Sequence, residues 1–234
     1  MNNTTPANAI GVEPGTIVIF SDVICPFTHI AVHRLFTARQ RLGLDDQVRI
    51  DHHSFPIELL NGAPGTRHGS DSEIPTLGQL EPDAGWQLWQ GRDYHYPNSV
   101  LLTFEAVHAA KSQGLRASED LDRALRSAFW AESATIQNLN TILDIAEHAD
   151  TVDADRLRQD IHDGTGRNAL WADYATAQSD IVAMSPHLFL PDGTNYTNPG
   201  IELHWQGDWA KGFPVIDSDE PTIYDTILKA AAST

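Results

Sequence analysis

The stretch FSDVICPFTHIAVHRL, residues 20–35, decides the fold because a strand end, a Cys-Pro pair and a helix start follow one another directly. Residues 16–20, TIVIF, are apolar and largely β-branched, which predicts a short buried strand. Apolar residues recur at helical spacing over residues 26–42, and Gly43 marks the end of that helix. Residues 48–54, VRIDHHS, alternate and predict a second strand. The crossover between the two strands is short and helical, so we expect a parallel pair.

Residues 61–96 are the least regular part of the sequence. They are rich in Gly, Pro and Ser and have no clean period, which predicts a long irregular connection. Because the segment contains Trp86 and Trp89, we expect it to be ordered, either as a lid or substrate wall or as a packed connector. Helical spacing follows, with Pro97 expected at the first position of one helix and Ser118 as the cap of the next.

Strand patterns return near the C-terminus. Residues 187–190 and 194–197 flank an Asp-Gly pair, a strong signal for the turn of a β-hairpin. The sequence after this hairpin, which contains Trp205 and Trp209, is predicted to be another long connection. A last helix with one apolar face is expected to start at residues 219–221.

The order of these segments predicts an α/β fold with one four-stranded mixed sheet. The outer segments, residues 15–62 and 181–234, supply the strands, and residues 63–180 form an all-helical insertion. A chain of 234 residues suits one domain with a large insertion of this kind.

Composition and charge exclude several classes of function. The formal net charge of −17 repels phosphate groups, so we expect neither nucleic-acid binding nor attraction to anionic membranes. No apolar run approaches the roughly 20 residues that span a bilayer, and the first residues lack the pattern of a secretory signal. The single cysteine excludes an intramolecular disulfide and a cysteine-rich zinc site. We therefore expect a cytoplasmic protein and leave open whether it forms a homodimer.

Cys25 stands where the first predicted strand ends and the first helix begins. Pro26 disfavours helical backbone at the residue before it and suits the first helical position itself, so Cys25 is expected at the N-cap. There the sulfur faces unpaired backbone N–H groups and the positive end of the helix dipole, which favours the thiolate. We expect His29 to add positive charge or a hydrogen bond. Asp22 either guides proton transfer near the thiol or serves as a turn or cap residue. The alternative is a buried cysteine that packs as a small apolar side chain.

Histidines near Cys25 raise the question of a metal site. His29 and His33 lie four residues apart on one predicted helix, a spacing that suits two metal ligands. We predict no metal site, because the helix N-terminus explains Cys25 without one. His52 and His53 are neighbours on a strand, so we expect them to face opposite sides and not to chelate together.

Residues 21–30, SDVICPFTHI, resemble the active-site turn of the DsbA-like branch of the thioredoxin superfamily. Residues 184–193, MSPHLFLPDG, resemble its cis-proline loop and the hairpin that follows. Residues 97–114 and 126–132 resemble helices of its insertion, and the resemblance covers residues 15–232. The branch includes FrnE-type oxidoreductases, kappa-class glutathione transferases and 2-hydroxychromene-2-carboxylate isomerases. The resemblance implies a thioredoxin-like fold with a helical insertion after the second strand.

The resemblance also implies roles for individual residues. Cys25 matches the attacking cysteine, Pro186 matches the cis-proline, and the backbone of Ser185 is expected to pair with a bound thiol or peptide. The predicted catalytic residues are Cys25 and Thr28, supported by Pro26, Phe27, His29 and Asp22, and the predicted binding residues are Ser185, Pro186, Met184, Trp86 and Trp89.

Thr28 is the main departure from the family pattern. Dithiol members have at this place a second cysteine that resolves the mixed disulfide, and this chain has none. The resemblance then implies a monothiol thiol-disulfide oxidoreductase that uses glutathione or another low-molecular-weight thiol and has no tightly bound cofactor. Thr28 is expected to donate a hydrogen bond to the thiolate of Cys25. Two alternatives stay open: a glutathione-type transferase or isomerase acting on a small aromatic compound, and a redox-silent binding protein.

Overall fold

A computed structural model describes residues 10–208 and 211–233. Its central sheet contains four strands. The strands are β1 (Thr16–Ser21), β2 (Arg49–Ser54), β3 (His187–Phe189) and β4 (Asn195–Thr197). Their order across the sheet is β2-β1-β3-β4. β1 pairs with β2 in parallel and with β3 in antiparallel orientation, and β3 pairs with β4 in antiparallel orientation. The predicted four-stranded mixed sheet is therefore confirmed.

Helices occupy most of the chain between β2 and β3. The helices are α1 (Pro26–Leu42), α2 (Ile57–Leu60), α3 (Arg67–Leu80), α4 (Leu101–Ala110), α5 (Leu115–Glu132), α6 (Leu139–Ala146), α7 (Ala154–His162), α8 (Arg167–Ala177) and α9 (Ile223–Ala232). Within the described part of the chain, no helix is both long and apolar enough to cross a membrane. The division of the chain at residues 62/63 and 180/181 stays a prediction.

The N-terminus of α1 is built as the sequence indicates. Cys25 is its N-cap with extended backbone (φ −84°, ψ 119°), and Pro26 occupies the first helical position. Gly43 ends the helix in left-handed conformation at φ 66°, which a glycine adopts without strain. Apolar faces of α1 and α9 pack on the sheet around a core that includes Ile17, Ile19, Leu35, Ile50, Leu188 and Ile227. This packing fixes Cys25 at the C-terminal end of β1.

α3 lies inside the segment that the sequence predicts to be an irregular connection. The helix begins after Thr66, whose hydroxyl accepts a hydrogen bond from the N–H of Gly69 at 3.1 Å. Its sequence, RHGSDSEIPTLGQL, is mostly polar or small, contains Pro75, and buries only Ile74 and Leu77. Because so few apolar residues face a core, the segment lacks the periodic stripe that signals a helix.

Two helix starts differ from the prediction. Pro97 lies ahead of α4, whose N-cap is Val100. Ser118 lies inside α5, and Gly114 occupies the N-cap position instead. The hydroxyl of Ser118 is buried and donates to the carbonyl of Val107 at 3.0 Å. It therefore joins α5 to α4 rather than capping a helix.

A second sheet replaces the predicted connection before the last helix. It consists of two antiparallel strands, β5 (Ile201–Gln206) and β6 (Phe213–Asp219). Trp205 lies in β5, whereas Trp209 falls outside the described residues. Asp219 ends β6, so α9 starts later than the sequence predicts.

Arg34 of α1 ties this second sheet to the rest of the fold. Its side chain is 4% exposed and donates two hydrogen bonds to the carboxylate of Asp219, at 2.7 and 2.9 Å. Its Nε donates to the carboxylate of Glu81 at 2.6 Å. Because a guanidinium group matches a carboxylate in bidentate geometry, Arg34 fixes β6 against the helix that carries the cysteine turn.

A buried polar cluster joins β2 to α4 and α8. The carboxylate of Asp173 accepts hydrogen bonds from Nδ1 of His53 at 2.6 Å and from the N–H of Ser54 at 2.7 Å, and Nε2 of His108 lies 2.8 Å away. Burial acts to raise the pKa of Asp173, but hydrogen bonds from His108 and His53 hold it well below its usual range. Burial acts to lower the pKa of His53, but hydrogen bonds to two aspartates raise it. His52 is only 2% exposed and His53 is half-buried, in line with the alternation along the strand.

Candidate active site

Cys25 lies in the turn between β1 and α1. Its backbone N–H donates to the carbonyl of Asp22 at 3.2 Å, which closes the turn. The residue is only 6% exposed, and its Sγ donates a hydrogen bond to the carbonyl of Ser185 at 3.3 Å. The single thiol of the chain is therefore held against the loop that precedes β3.

This loop contains a cis peptide bond between Ser185 and Pro186, so the predicted cis-proline is confirmed. Antiparallel pairing of β1 with β3 places the loop beside the cysteine turn. The hydroxyls of Ser185 and Thr28 are hydrogen-bonded at 2.7 Å, and the N–H of Asp22 donates to the Ser185 hydroxyl at 2.9 Å. The fold thus brings Asp22, Cys25, Thr28 and Ser185 together, as expected for one site.

The thiol of Cys25 differs from the expectation based on the helix N-terminus alone. Burial raises its pKa above the ordinary value, and the carboxyl group of Glu73 acts in the same direction. The backbone and hydroxyl of Thr28 and the side chain of Ser185 act to lower the pKa but do not outweigh burial. The expectation of a lowered pKa is therefore wrong for the free protein, in which Cys25 is a buried thiol that donates to a carbonyl.

His29 does not supply the expected charge. Its Nε2 lies 2.8 Å from the carbonyl oxygen of Ala84, and its ring packs 4.6 Å from the ring of Trp86. Burial lowers the pKa of His29 to about 3, so the ring is neutral at physiological pH. His29 bonds to this carbonyl and not to Cys25, and Nε2 of His33 lies 3.9 Å from the carboxylate of Glu81. The side chains of Cys25, His29 and His33 therefore do not converge on one metal position.

Trp89 packs in the core of the helical segment, and Trp86 packs against that core. Neither side chain lines the cleft at Cys25, where the predicted binding site lies. Trp89 is 4% exposed, with its ring 5.1 Å from that of Tyr96. The indole N–H of Trp86 donates to a backbone carbonyl at 2.8 Å. Met184 directly precedes the cis-proline loop and is 42% exposed, and its binding role stays a prediction.

A cleft of about 530 Å³ opens beside Cys25. One wall is the cysteine turn with Pro26 and Phe27, and the other consists of residues 57–73 from α2, α3 and the loop between them. The sequence gives little sign of the second wall, because these residues have no apolar period. The one usable signal was Thr66, a residue type that favours a helix N-cap.

Asp22 links the cysteine turn to this second wall. Its side chain is 1% exposed, and its carboxylate accepts hydrogen bonds from the N–H groups of Ile24 at 2.9 Å and Ile57 at 3.0 Å. Burial raises the pKa of Asp22 to about 6, although both hydrogen bonds act to lower it. Because both oxygens have backbone partners, Asp22 positions α2 against the turn. Its role in proton transfer stays a prediction.

Solved structures share this fold. A probable DsbA oxidoreductase from Streptomyces coelicolor matches with a TM-score of 0.61 and 18% identity, over 93% of this chain and 90% of that chain. The cytosolic disulfide reductase DsbM from Pseudomonas aeruginosa matches with a TM-score of 0.61 and 14% identity, over 93% of this chain and 95% of that chain. The structure of DsbM with GSH matches with a TM-score of 0.58 and 15% identity, over 75% of this chain and 85% of that chain. At identities this low, the structural matches show a common fold and no more.

The sequence also matches a family model. No curated protein matches the chain significantly. The model of the DSBA-like thioredoxin domain matches residues 16–195, from the first residue of β1 to the first residue of β4. The match includes the cysteine turn, the whole helical segment and the cis-proline loop. The chain therefore belongs to the DSBA-like thioredoxin domain family.

Proposed function

We propose that the protein is a thiol-disulfide oxidoreductase that works with one cysteine, Cys25, and a diffusible low-molecular-weight thiol. The observation that carries the proposal is the contact between Cys25 and the cis-proline loop, where Sγ donates to the carbonyl of Ser185. The backbone of this loop is suited to pair with a ligand whose sulfur lies next to Cys25. Membership of the DsbA-like family supports the chemistry, and Thr28 in place of a second cysteine limits it to one thiol.

In the first step, Cys25 attacks one sulfur of a disulfide R–S–S–R′. The thiol loses its proton, a bond forms between Cys25 and the R sulfur, and the S–S bond breaks. The R′ sulfur leaves with the electron pair and takes up a proton. The product is a mixed disulfide between Cys25 and R, with R in the cleft beside the cysteine turn.

In the second step, a small thiol R″–SH completes the cycle. Its thiolate attacks the R sulfur, forms R–S–S–R″ and releases Cys25 as a thiolate, which takes up the proton given up by R″–SH. The hydroxyl and backbone of Thr28 favour the Cys25 thiolate as it leaves, because both act to lower the pKa of this thiol. The net change is an exchange in which R′ is reduced and R″ is oxidised.

The size of the cleft favours a small partner. Residues from 57–73 line the cleft beside Cys25, and its volume is about 530 Å³. A structural neighbour, DsbM, is described as cytosolic and was solved with GSH, which supports a small thiol as partner and a cytoplasmic location for this chain. A reducing cytoplasm supplies such thiols.

Turnover of a small disulfide tests the proposal. The reduction of 2-hydroxyethyl disulfide by glutathione is measured for the wild-type protein, Cys25→Ser and the control Thr28→Ser. We expect Cys25→Ser to fall to the uncatalysed rate, since serine forms no mixed disulfide, and Thr28→Ser to stay active. Undiminished turnover in Cys25→Ser would exclude the monothiol cycle.

A glutathione-type transferase or isomerase is the second candidate, and one observation favours it. Cys25 is a hydrogen-bond donor and burial raises its pKa, which suits a thiol that donates to the thiolate of bound glutathione. This function predicts that Cys25→Ser retains turnover of an electrophilic aromatic substrate with glutathione, whereas Cys25→Ala loses it. A redox-silent binding protein would turn over neither substrate.

A further inference from the structure

The cleft beside Cys25 is lined by acidic side chains without a matching cation. Asp22, Glu58 and Glu73 contribute carboxyl groups, and the described residues that line the cleft include no Lys, Arg or His. A ligand in this cleft therefore meets only negative or neutral protein groups. What each carboxyl group bonds to decides which of them is available to that ligand.

Two of the three carboxylates already have protein partners. Asp22 accepts hydrogen bonds from two backbone N–H groups, at 2.9 and 3.0 Å. Glu58 accepts from the hydroxyl of Ser99 at 2.6 Å and from the N–H of Val100 at 3.0 Å, which fixes the start of α4. Each carboxylate oxygen of Asp22 and Glu58 therefore already accepts a hydrogen bond from the protein.

Glu73 differs from the other two. Its carboxyl group has no hydrogen bond and no ion pair with any described residue, although the side chain is half-buried on α3. Arg67, the basic residue at the start of the same helix, is engaged by the carboxylates of Asp71 and Asp93. Burial raises the pKa of Glu73 to about 8, as expected of a carboxyl group that lacks a partner cation. Such a group gains most from a cation that arrives with the ligand.

The position of Glu73 relative to the thiol suits recognition of a second group on the same ligand. The charge of Glu73 acts on the pKa of Cys25, yet the two side chains share no hydrogen bond. Glu73 is therefore near the thiol but not placed to take its proton directly. A ligand sulfur at Cys25 leaves room in the cleft for a polar end that extends towards α3.

We propose that Glu73 binds the primary ammonium group of the thiol that reacts at Cys25, so the co-substrates are low-molecular-weight aminothiols. This inference rests on the proposed function and names the class of thiol that it uses. Glutathione, cysteine and cysteamine belong to this class. Thiols whose amine is acylated lack the ammonium group, and thiols that carry phosphate groups are repelled by the acidic cleft.

Paired thiols that differ only at the amine test the proposal. Turnover of 2-hydroxyethyl disulfide is measured with cysteamine and N-acetylcysteamine, and with glutathione and its N-acetyl derivative. The proteins are wild type, Glu73→Gln and Glu132→Gln, which removes the same charge from an exposed position outside the cleft. Comparing each thiol between proteins cancels the intrinsic reactivity of the thiol.

We expect Glu73→Gln to lose about tenfold or more in kcat/KM for the amine-bearing thiols, mainly through KM, because a charged hydrogen bond is lost. Rates with the acetylated thiols should stay unchanged, and Glu132→Gln should behave as wild type. An equal loss for both members of a pair would overturn the proposal, since it would indicate a general role in proton transfer. An unchanged preference for the amine would overturn it as well.

Failure of the proposed function gives a different result. In that case the wild-type protein turns over no disulfide with any thiol. Calorimetric titration with S-methylglutathione and its N-acetyl derivative, neither of which forms disulfides, then tests the Glu73 site directly. Binding that depends on both the free amine and Glu73 supports the site, and equal affinity of the wild type for the two compounds overturns it.

Discussion

Replacing Thr28 with valine removes the hydroxyl next to Cys25 and keeps the shape of the side chain. Thr28 is fully buried, its hydroxyl is hydrogen-bonded to that of Ser185 at 2.7 Å, and it acts to lower the pKa of the Cys25 thiol. Thr28→Val is therefore expected to reduce the fraction of Cys25 present as thiolate.

The size of this effect follows from the loss of the hydrogen bond by which the Thr28 hydroxyl favours the Cys25 thiolate. A bond of this kind contributes about 1 kcal/mol, which corresponds to about a fivefold smaller thiolate fraction below the pKa. A thiolate of higher pKa is more nucleophilic, with a Brønsted coefficient of about 0.4–0.5, so roughly half of the loss is recovered on a logarithmic scale. We expect alkylation of Cys25 to slow by about two- to threefold. Stability should fall by about 1 kcal/mol because Ser185 loses a partner.

Alkylation of Cys25 by iodoacetamide, followed by intact mass, measures the effect. Since the chain has one cysteine, every alkylated molecule reports on this site. Rates are compared from about pH 6 to 10, a range that brackets the ordinary thiol pKa of about 8.5. Thr28→Ser keeps the hydroxyl and should react as wild type. Equal or faster alkylation of Thr28→Val would refute the reasoning that this hydroxyl favours the thiolate.

Two further substitutions test contacts that position the site. Asp173→Asn should destabilise the fold by about 3 kcal/mol in denaturant titrations, because it breaks a buried hydrogen-bonded pair with His53. Folding lowers the pKa of Asp173, so its contribution to stability is present above the unfolded pKa of about 3.9 and is lost as pH falls. Folding raises the pKa of His53, so its contribution to stability is present below the unfolded pKa of about 6.5 and is lost as pH rises. The destabilisation should be greatest between those values, and a loss independent of pH would contradict this account. Arg34→Lys keeps the charge but not the bidentate contact with Asp219, and should speed limited proteolysis of β5 and β6; equal cleavage rates in variant and wild type would show that the contact does not hold them.

The unit of β1, α1 and β2 could be predicted because its signals are local. Pro26 defines the start of α1 and Gly43 its end, and each acts through the backbone conformation of one or two residues. The cis-proline loop was identified by resemblance, and the structure confirms the cis peptide bond before Pro186. The antiparallel pairing of β1 with β3 then brings this loop to Cys25.

Features that depend on distant contacts could not be read from the sequence. Only Ile201 of β5 and Pro214 of β6 are buried, so the segment has no strong apolar pattern of its own. Its position depends on the contact of Asp219 with Arg34 from α1. The wall formed by residues 57–73 has no apolar period, and Asp22 holds its first residue through the N–H of Ile57. Burial of Cys25 reverses the pKa shift that the helix N-terminus predicts. Burial in the helical core likewise makes His29 neutral.

The most direct test of the central claim is the intact mass of the protein after incubation with glutathione disulfide. The account predicts one glutathione per chain, bound through Cys25, absent in Cys25→Ser and released by excess free glutathione. Turnover of disulfides by a protein that never carries such an adduct would contradict the monothiol cycle.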